Sequence, residues 1–294
     1  LHTSFAHQEA ARVTHPAIQE IVAVFGQPVA GNPTQYMMEK AFAQLGLDWR
    51  YLTLEVAPQA LGDAIRGMRA MGFRGCNLTI PHKVEVIQYL DRTSEAATLM
   101  GAVNCVNRVG SELVGDNTDG KGFVQSLKEL TDPSGKNVII LGAGGAARAI
   151  AVEIALAGAD AITVVNRGEA RGRELVALLN DKVKVPTQFV LWEGDYRVPP
   201  EAEVVINATS IGLGDGDARV PLAIDSLESD MVVADVVFNP PETRLLREAK
   251  ARGCQTLDGL GMLVNQAVIG FHIWTGRNAD PLVMREALEE FLGI

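Results

Sequence analysis

Residues 137–171 read NVIILGAGGAARAIAVEIALAGADAITVVNRGEAR, and they decide the fold. The apolar run Asn137–Leu141 predicts a strand. Gly142-Ala143-Gly144-Gly145-Ala146-Ala147 follows it and fits G-x-G-x-x-G/A. Ala146–Ala157 predicts a helix, and Ala161–Val165 a second strand. Glycine at 142 permits the tight turn, glycine at 144 lets the backbone approach a pyrophosphate, and Ala147 keeps helix and strand close. The helix N-terminus turns unpaired N–H groups and a positive dipole end toward phosphates. The segment therefore predicts a dinucleotide-binding βαβ unit with Gly142, Gly144, Gly145 and Ala146 at the phosphates. A carboxylate at the end of the second strand would hold an NAD ribose. Asn166-Arg167-Gly168 stands there instead, with Arg171 one helical turn on. Guanidiniums without a carboxylate suit a 2′-phosphate. Asn166, Arg167 and Arg171 thus favour NADP, with NAD as the alternative. Glu169 is the one acid nearby, able to pair with an arginine or to reach a ribose hydroxyl.

The alternation continues outward in both directions. Toward the N-terminus, Ile21–Phe25, Arg50–Val56 and Cys76–Ile80 predict strands. Met37–Leu45, Pro58–Met71 and Lys83–Leu90 predict helices. Ala102–Val109 and Glu112–Gly115 predict a hairpin around Gly110, and Gly120–Leu130 a helix. Asp132-Pro133-Ser134-Gly135 is a break. Toward the C-terminus, Glu169–Leu179 and Thr243–Ala251 predict helices. Gln188–Leu191, Val204–Asn207, Met231–Asp235 and Gln255–Leu257 predict strands, and helices Gly261–Thr275 and Pro281–Leu292 close the chain. Such alternation implies an α/β fold, mainly parallel sheet with helices on both faces. At 294 residues, two domains are expected. We place a first α/β domain at 20–125, a Rossmann-type domain at 126–260, a cleft between them, and the helices of 261–294 back on the first. Residues 1–19 read as a tail.

Composition removes other classes. With 26 Lys+Arg against 36 Asp+Glu, the net charge is −10. That leaves no basic footprint for nucleic acid and no attraction to an anionic membrane surface. No apolar run approaches the length of a membrane span, and the first twenty residues lack a secretory pattern. Cys76, Cys105 and Cys254 form no CxxC pair and read as buried reduced thiols of a cytoplasmic protein. The five histidines have no metal-ligand spacing, so no metal site is expected. Gly115–Gly122 imitates a P-loop, but it lacks the final Ser/Thr and carries two aspartates that would repel phosphate. The partner expected is a small molecule, and a homodimer is compatible with the chain.

Polar residues interrupt three apolar stretches: Asn77-Leu78-Thr79-Ile80-Pro81-His82-Lys83, Gly101-Ala102-Val103-Asn104 and Asp116-Asn117-Thr118-Asp119-Gly120. Each falls at a strand end or helix start, where open α/β sheets hold ligands. A lysine beside a carboxylate can make a proton-transfer pair, but Lys83 and Asp119 are too far apart in sequence for local geometry to join them.

These segments, with GAGGAAR, Asn166-Arg167, Asn207-Ala-Thr-Ser-Ile-Gly212 and Asp258-Gly-Leu-Gly-Met-Leu-Val-Asn-Gln266, resemble the shikimate dehydrogenase family, including its quinate/shikimate branch. The likeness runs from about Gly26 to Gly276. It implies reversible hydride transfer between a ring C–OH or C=O and the nicotinamide of NADP, with shikimate or a close cyclic hydroxy-acid as substrate. It makes Lys83 and Asp119 the catalytic dyad. It assigns Asn104, Thr79 and Gln266 to the substrate hydroxyls with Asn77 as a buttress, Gly259 and Met262 to the nicotinamide, and Thr209 to the cofactor cleft. Two positions depart from the family pattern. The loop Gly26-Gln27-Pro28-Val29-Ala30-Gly31-Asn32-Pro33-Thr34 has Asn32 where the family's first carboxylate-holding Ser stands, with Thr34 as the second. Asp235-Val-Val-Phe238-Asn239-Pro240 has Phe238 in place of a substrate-contacting Tyr, so a phenolic donor is lost. Asn32, Thr34 and Phe238 are therefore the substrate-side positions that bear on its identity. Alternatives are a dehydrogenase of quinate or of another cyclic hydroxy-acid, and a catalytically silent dinucleotide-binding protein on the same fold.

Overall fold

The computed structural model describes residues 19–294. The tail expected at the N-terminus lies, but for Gln19, outside the described residues. The first sheet comprises β1 (Glu20–Gly26), β2 (Trp49–Glu55), β3 (Gly75–Leu78), β4 (Arg92–Thr93), β5 (Cys105–Val109) and β6 (Glu112–Asp116). Between and after these strands run α1 (Thr34–Gln44), α2 (Leu61–Met71), α3 (His82–Glu85), α4 (Glu95–Met100) and α5 (Thr118–Leu127). The second sheet comprises β7 (Asn137–Leu141), β8 (Ala161–Asn166), β9 (Thr187–Leu191), β10 (Val204–Asn207), β11 (Val232–Asp235) and β12 (Gln255–Leu257). Its helices are α6 (Gly145–Leu156), α7 (Glu169–Leu178) and α8 (Arg244–Ala251), and the chain closes with α9 (Gly259–Thr275) and α10 (Pro281–Leu292).

The second sheet is parallel throughout, in the order β12-β11-β10-β7-β8-β9. Val138–Leu141 and Val204–Asn207 are buried at every position. Runs apolar on both faces are what a sheet covered by helices on both sides demands. The chain leaves β7 toward β8 on one side and returns through β10 on the other. The crevice beyond the carboxyl ends of β7 and β10 is therefore the switch point where such sheets bind ligands.

The first sheet is mainly parallel with the expected hairpin, and its one unexpected pairing is β3 with β5. Its order is β2-β1-β3-β5-β6-β4, and β5 runs antiparallel to both β3 and β6. Gly110, at φ +63°, closes the β5–β6 hairpin. α4 and β4 were not read from the sequence. The signal for α4 was present: Ser94 Oγ accepts from the Ala97 N–H at 3.2 Å, and Gly101 ends the helix at φ +64°. Cys76–Ile80 is a strand only to Leu78, and Lys83–Leu90 divides into α3 and a 3-10 turn.

α9 and α10 pack on the first sheet. Phe271, Met284 and Leu288 share a core with Val24, Phe42 and Tyr51. The Trp274 indole donates to the Val106 carbonyl at 2.9 Å. α9 begins two residues earlier than its apolar periodicity predicts, because Asp258 accepts from the Leu260 and Gly261 N–H groups. It crosses α5 closely. A Cβ at Gly122 would stand 2.6 Å from the Gln266 nitrogen and 2.8 Å from the Met262 oxygen. Small residues at this crossing let both backbones approach, which places the Asp119 end of α5 beside Gln266.

Gly122→Ala should cost about 1–3 kcal/mol, the usual penalty for overpacking, and lower the unfolding midpoint. Gly67→Ala, inside α2 where an added Cβ would only touch the end of the Met71 side chain at 3.7 Å, should stabilise by up to about 1 kcal/mol. Chemical denaturation of the two variants beside the parent measures both. Equal midpoints would contradict the packing described.

Candidate active site and nucleotide cleft

The sheet does what sequence spacing could not. The Val103 N–H donates to the Lys83 carbonyl at 2.7 Å, and the Asn104 N–H to the Asp116 carbonyl at 3.1 Å. These bonds bring α3, the start of β5 and the start of α5 together. Lys83 Nζ then donates to Asp119 Oδ2 at 2.7 Å. The two side chains are one-third and one-fifth exposed, so both face an open cavity. Asn104 holds the carboxylate from behind: its Nδ2 donates to Asp119 Oδ1 at 2.7 Å and to Thr118 Oγ1 at 3.1 Å, while its Oδ1 accepts from the Thr118 N–H at 2.7 Å. Asn77 Nδ2 donates to the Asn104 carbonyl at 3.0 Å, and Asn77 Oδ1 accepts from the buried Tyr51 hydroxyl at 2.6 Å. Asn117 caps α5, accepting from the Asp119 N–H at 3.1 Å.

Asn32, Thr34, Asn77, Thr79, Lys83, Asn104, Asp119 and Gln266, all expected at the substrate, line one cavity together with Val24, Leu78 and Leu263. Phe238 is not among them. It lines the nucleotide cavity beside Val236 and Val237 and packs on the core shared by α9 and α1. The cause is the turn after β11: Asp235 Oδ1 accepts from the Val237 N–H at 3.0 Å and from Asn207 Nδ2 at 3.0 Å, and Oδ2 accepts from the Thr243 hydroxyl at 2.8 Å.

That nucleotide cavity, about 420 Å³, lies at the switch point and is lined by Gly142–Ala146, Asn166, Arg167 and Thr209 among others. Gly142 has φ +114°, and a Cβ there would stand 3.0 Å from the Ala208 carbonyl oxygen. Around Gly144 and Gly145 the space a Cβ would occupy is open. This is the room a pyrophosphate needs at the α6 N-terminus. Arg167 and Arg171 line the adjoining recess. Glu169 lines the same recess, but its carboxylate is paired with Arg173 at 2.8 Å. Among the described residues, no carboxylate pairs with Arg167 or Arg171. The donor set fits a dinucleotide carrying a 2′-phosphate. Gly259 and Met262 line neither cavity. Gly259 is buried, and a Cβ on it would collide with the Val236 and Val237 backbone, so packing alone requires glycine there. Thr209 is fixed by its hydroxyl, which donates to Asn207 Oδ1 at 2.7 Å.

Sequence reasoning missed Tyr51, Asn117 and Thr118 as supports, and Trp192 and Leu213 as walls of the nucleotide cavity. Asn117 directly before a helix was a readable cap signal. Tyr51 had none, since it sits in an alternating strand. Among the described residues, no group of three or more His, Cys, Asp or Glu is placed to hold a metal ion, and no helix is long and apolar enough to cross a membrane.

Comparison with known proteins agrees with this geometry. Residues 24–106 match the shikimate dehydrogenase substrate binding domain, 125–212 the shikimate / quinate 5-dehydrogenase model, and 259–289 the shikimate 5′-dehydrogenase C-terminal domain. The shikimate dehydrogenase (NADP(+)) of Methanopyrus kandleri is 40% identical over 95% of this chain and 98% of its own. The chain belongs to the shikimate dehydrogenase family. Within it, a solved shikimate 5-dehydrogenase from Listeria monocytogenes, in complex with shikimate and NAD, is 36% identical, covers 91% of this chain and 96% of its own, and superposes with a TM-score of 0.85. The ligand-free 5-ketofructose reductase of Gluconobacter sp. strain CHM43 is 51% identical over 93% of this chain and 99% of its own, with a TM-score of 0.92.

Two outcomes test the cleft. Arg167→Ala with Arg171→Ala should weaken NADPH binding at least tenfold and leave NADH binding within about threefold, by removing charge-assisted bonds to one phosphate; fluorescence titration of both cofactors measures it, and equal losses would contradict the assignment. Burial pushes the Asp235 carboxyl up to about 6 from an ordinary value near 3.8. Between those pH values the folded chain binds more protons than the unfolded one, so this group's contribution to stability falls as pH rises through the window. Asp235→Asn should therefore lose stability less steeply than the parent from pH 4 to 6 in urea melts; identical slopes would refute it.

Proposed function

We propose that this chain catalyses reversible, NADP-dependent interconversion of a secondary alcohol and a ketone, with shikimate and 3-dehydroshikimate as the pair its family points to. The observation that carries this is the Lys83–Asp119 pair at 2.7 Å, held from behind by Asn104 and opening into a cavity lined with amides and hydroxyls. NADP, when bound, supplies or accepts the hydride. Oxidation of an alcohol carbon also requires its hydroxyl proton to leave. In this reading Lys83 takes and returns that proton at the reacting oxygen. Asp119 keeps the ammonium in place and balances its charge. Asn104, Thr79 and Gln266 hydrogen-bond the substrate hydroxyls with Asn77 as their buttress, and Asn32 and Thr34 stand where the family holds the carboxylate. Gly142, Gly144, Gly145 and Ala146 would hold the pyrophosphate, Asn166, Arg167 and Arg171 the 2′-phosphoribose, and Thr209 the nicotinamide end, with Gly259 and Met262 packed behind the cleft rather than lining it. Phe238, which lines the nucleotide cavity and packs on the core of α9 and α1, would shape the junction of the two sites.

We further propose the division into a substrate domain over 20–125, rejoined by 261–294, and a nucleotide domain over 126–260. The separate sheets and the core joining α9 and α10 to β1 and α1 support it. A cytoplasmic location is supported by three free, buried thiols, Cys76, Cys105 and Cys254. A catalytically silent protein would need neither a complete dyad nor its hydrogen-bonded support.

Absorbance of the reduced cofactor, followed with shikimate or quinate against NADP and NAD, should show turnover, fastest with NADP. Lys83→Ala should lower kcat about 10²–10⁴-fold, the usual worth of a positioned acid–base group, and leave the Kd for NADPH within threefold. A variant retaining near-parental kcat would contradict the role given to Lys83.

A further inference from the structure

We propose that the same site, as a further activity, reduces neutral polyhydroxy ketones bearing no carboxylate, and that Asn32 is the residue that makes this possible. The inference rests on the hydride-transfer reading above and extends its substrate class. Three observations carry it. First, apart from the paired Lys83 and Asp119, the polar lining of the cavity is neutral, and the whole chain carries −10. The other polar walls are amides and hydroxyls, which both donate and accept, as sugar hydroxyls do. A carboxylate only accepts, and half of that capacity would be wasted on it.

Second, Asn32 alters the end of the cavity where the family places a hydroxyl for the carboxylate. α1 starts at Thr34, and its first N–H groups are the natural cradle for an anion there. The Thr34 N–H instead donates to Asn32 Oδ1 at 2.9 Å. A backbone donor can meet only the oxygen of that amide, so the orientation of Asn32 is settled. Its partly negative oxygen occupies a donor that a carboxylate would use. Its Nδ2, without a hydrogen-bond partner among the described residues, is left to bond a neutral oxygen. Phe238 supplies no phenolic hydroxyl that could hold an acid, since its ring has no donor.

Third, the 51%-identical Gluconobacter protein is a reductase of 5-ketofructose, a ketose without a carboxylate.

The chemistry balances with the reductant already named. The ketone C=O π bond breaks. Its carbon gains a hydride from NADPH, which is oxidised to NADP, and its oxygen gains the ammonium proton of Lys83, later replaced from solvent.

The test is NADPH oxidation by the full chain with 5-ketofructose and, separately, with 3-dehydroshikimate. The expected result is a kcat/KM for the ketose equal to or above that for the acid. A lower value for the ketose, with the acid turned over, overturns the inference and leaves the dehydrogenase reading standing. Turnover of neither, with NADPH still binding by fluorescence, overturns both. Asn32→Ser removes the amide, weakens the hold on the Thr34 N–H and restores the family's hydroxyl. It should shift the acid-to-ketose ratio of kcat/KM at least tenfold toward the acid, and an unchanged ratio overturns the role given to Asn32.

Discussion

One buried amide holds the first domain's chemistry together. Asn104 is almost wholly shielded from solvent, and a polar group so placed must be paired or it costs stability. Its backbone ties β3 to β6 through the Leu78 N–H and the Asp116 carbonyl. Its side chain bonds Thr118 and Asp119 at the head of α5. The carboxylate beside Lys83 is therefore not a free surface acid. It is one corner of a network whose every member is fixed by secondary structure, and such fully satisfied networks rigidify the groups they contain.

That constraint explains why a second domain suffices to complete the site. The α5–α9 crossing sets Gln266 beside this network, and α6 packs behind α5. The glycine turn at the head of α6 and the proton-transfer pair thus belong to elements in direct contact. Glycine at 120, 122 and 261 serves close packing between helices, whereas glycine at 144 and 145 leaves room for a ligand. The two uses look identical in sequence and are separated only by what surrounds each Cα.

The nucleotide half was legible almost completely. Its inner strands β7, β8, β10 and β11 are buried on both faces, so apolar runs mark them, and Gly142 in the phosphate turn has a φ of +114°, which favours glycine. The first half was legible in its elements but not in its sheet. Nothing local in Cys105–Val109 says that it pairs antiparallel with Gly75–Leu78, since strand direction is set by the route of the chain between them. Two-residue β4 is too short for any period. Lys83 and Asp119 were singled out as polar interruptions, yet their pairing depended on family resemblance until the sheet placed them. Phe238 was expected at the substrate; sequence position cannot tell which side of a cleft a turn faces, and here the residue lines the nucleotide cavity while packing on the core of α9 and α1.

The central claim is that Lys83 and Asp119 work as one proton-transfer unit positioned by the fold. A double-mutant cycle on kcat/KM with Lys83→Ala, Asp119→Ala and the pair measures that most directly. Groups that act as a unit are strongly non-additive, so the double variant should be no slower than the worse single variant within about threefold. Losses that multiply, as for independent sites, would contradict the account.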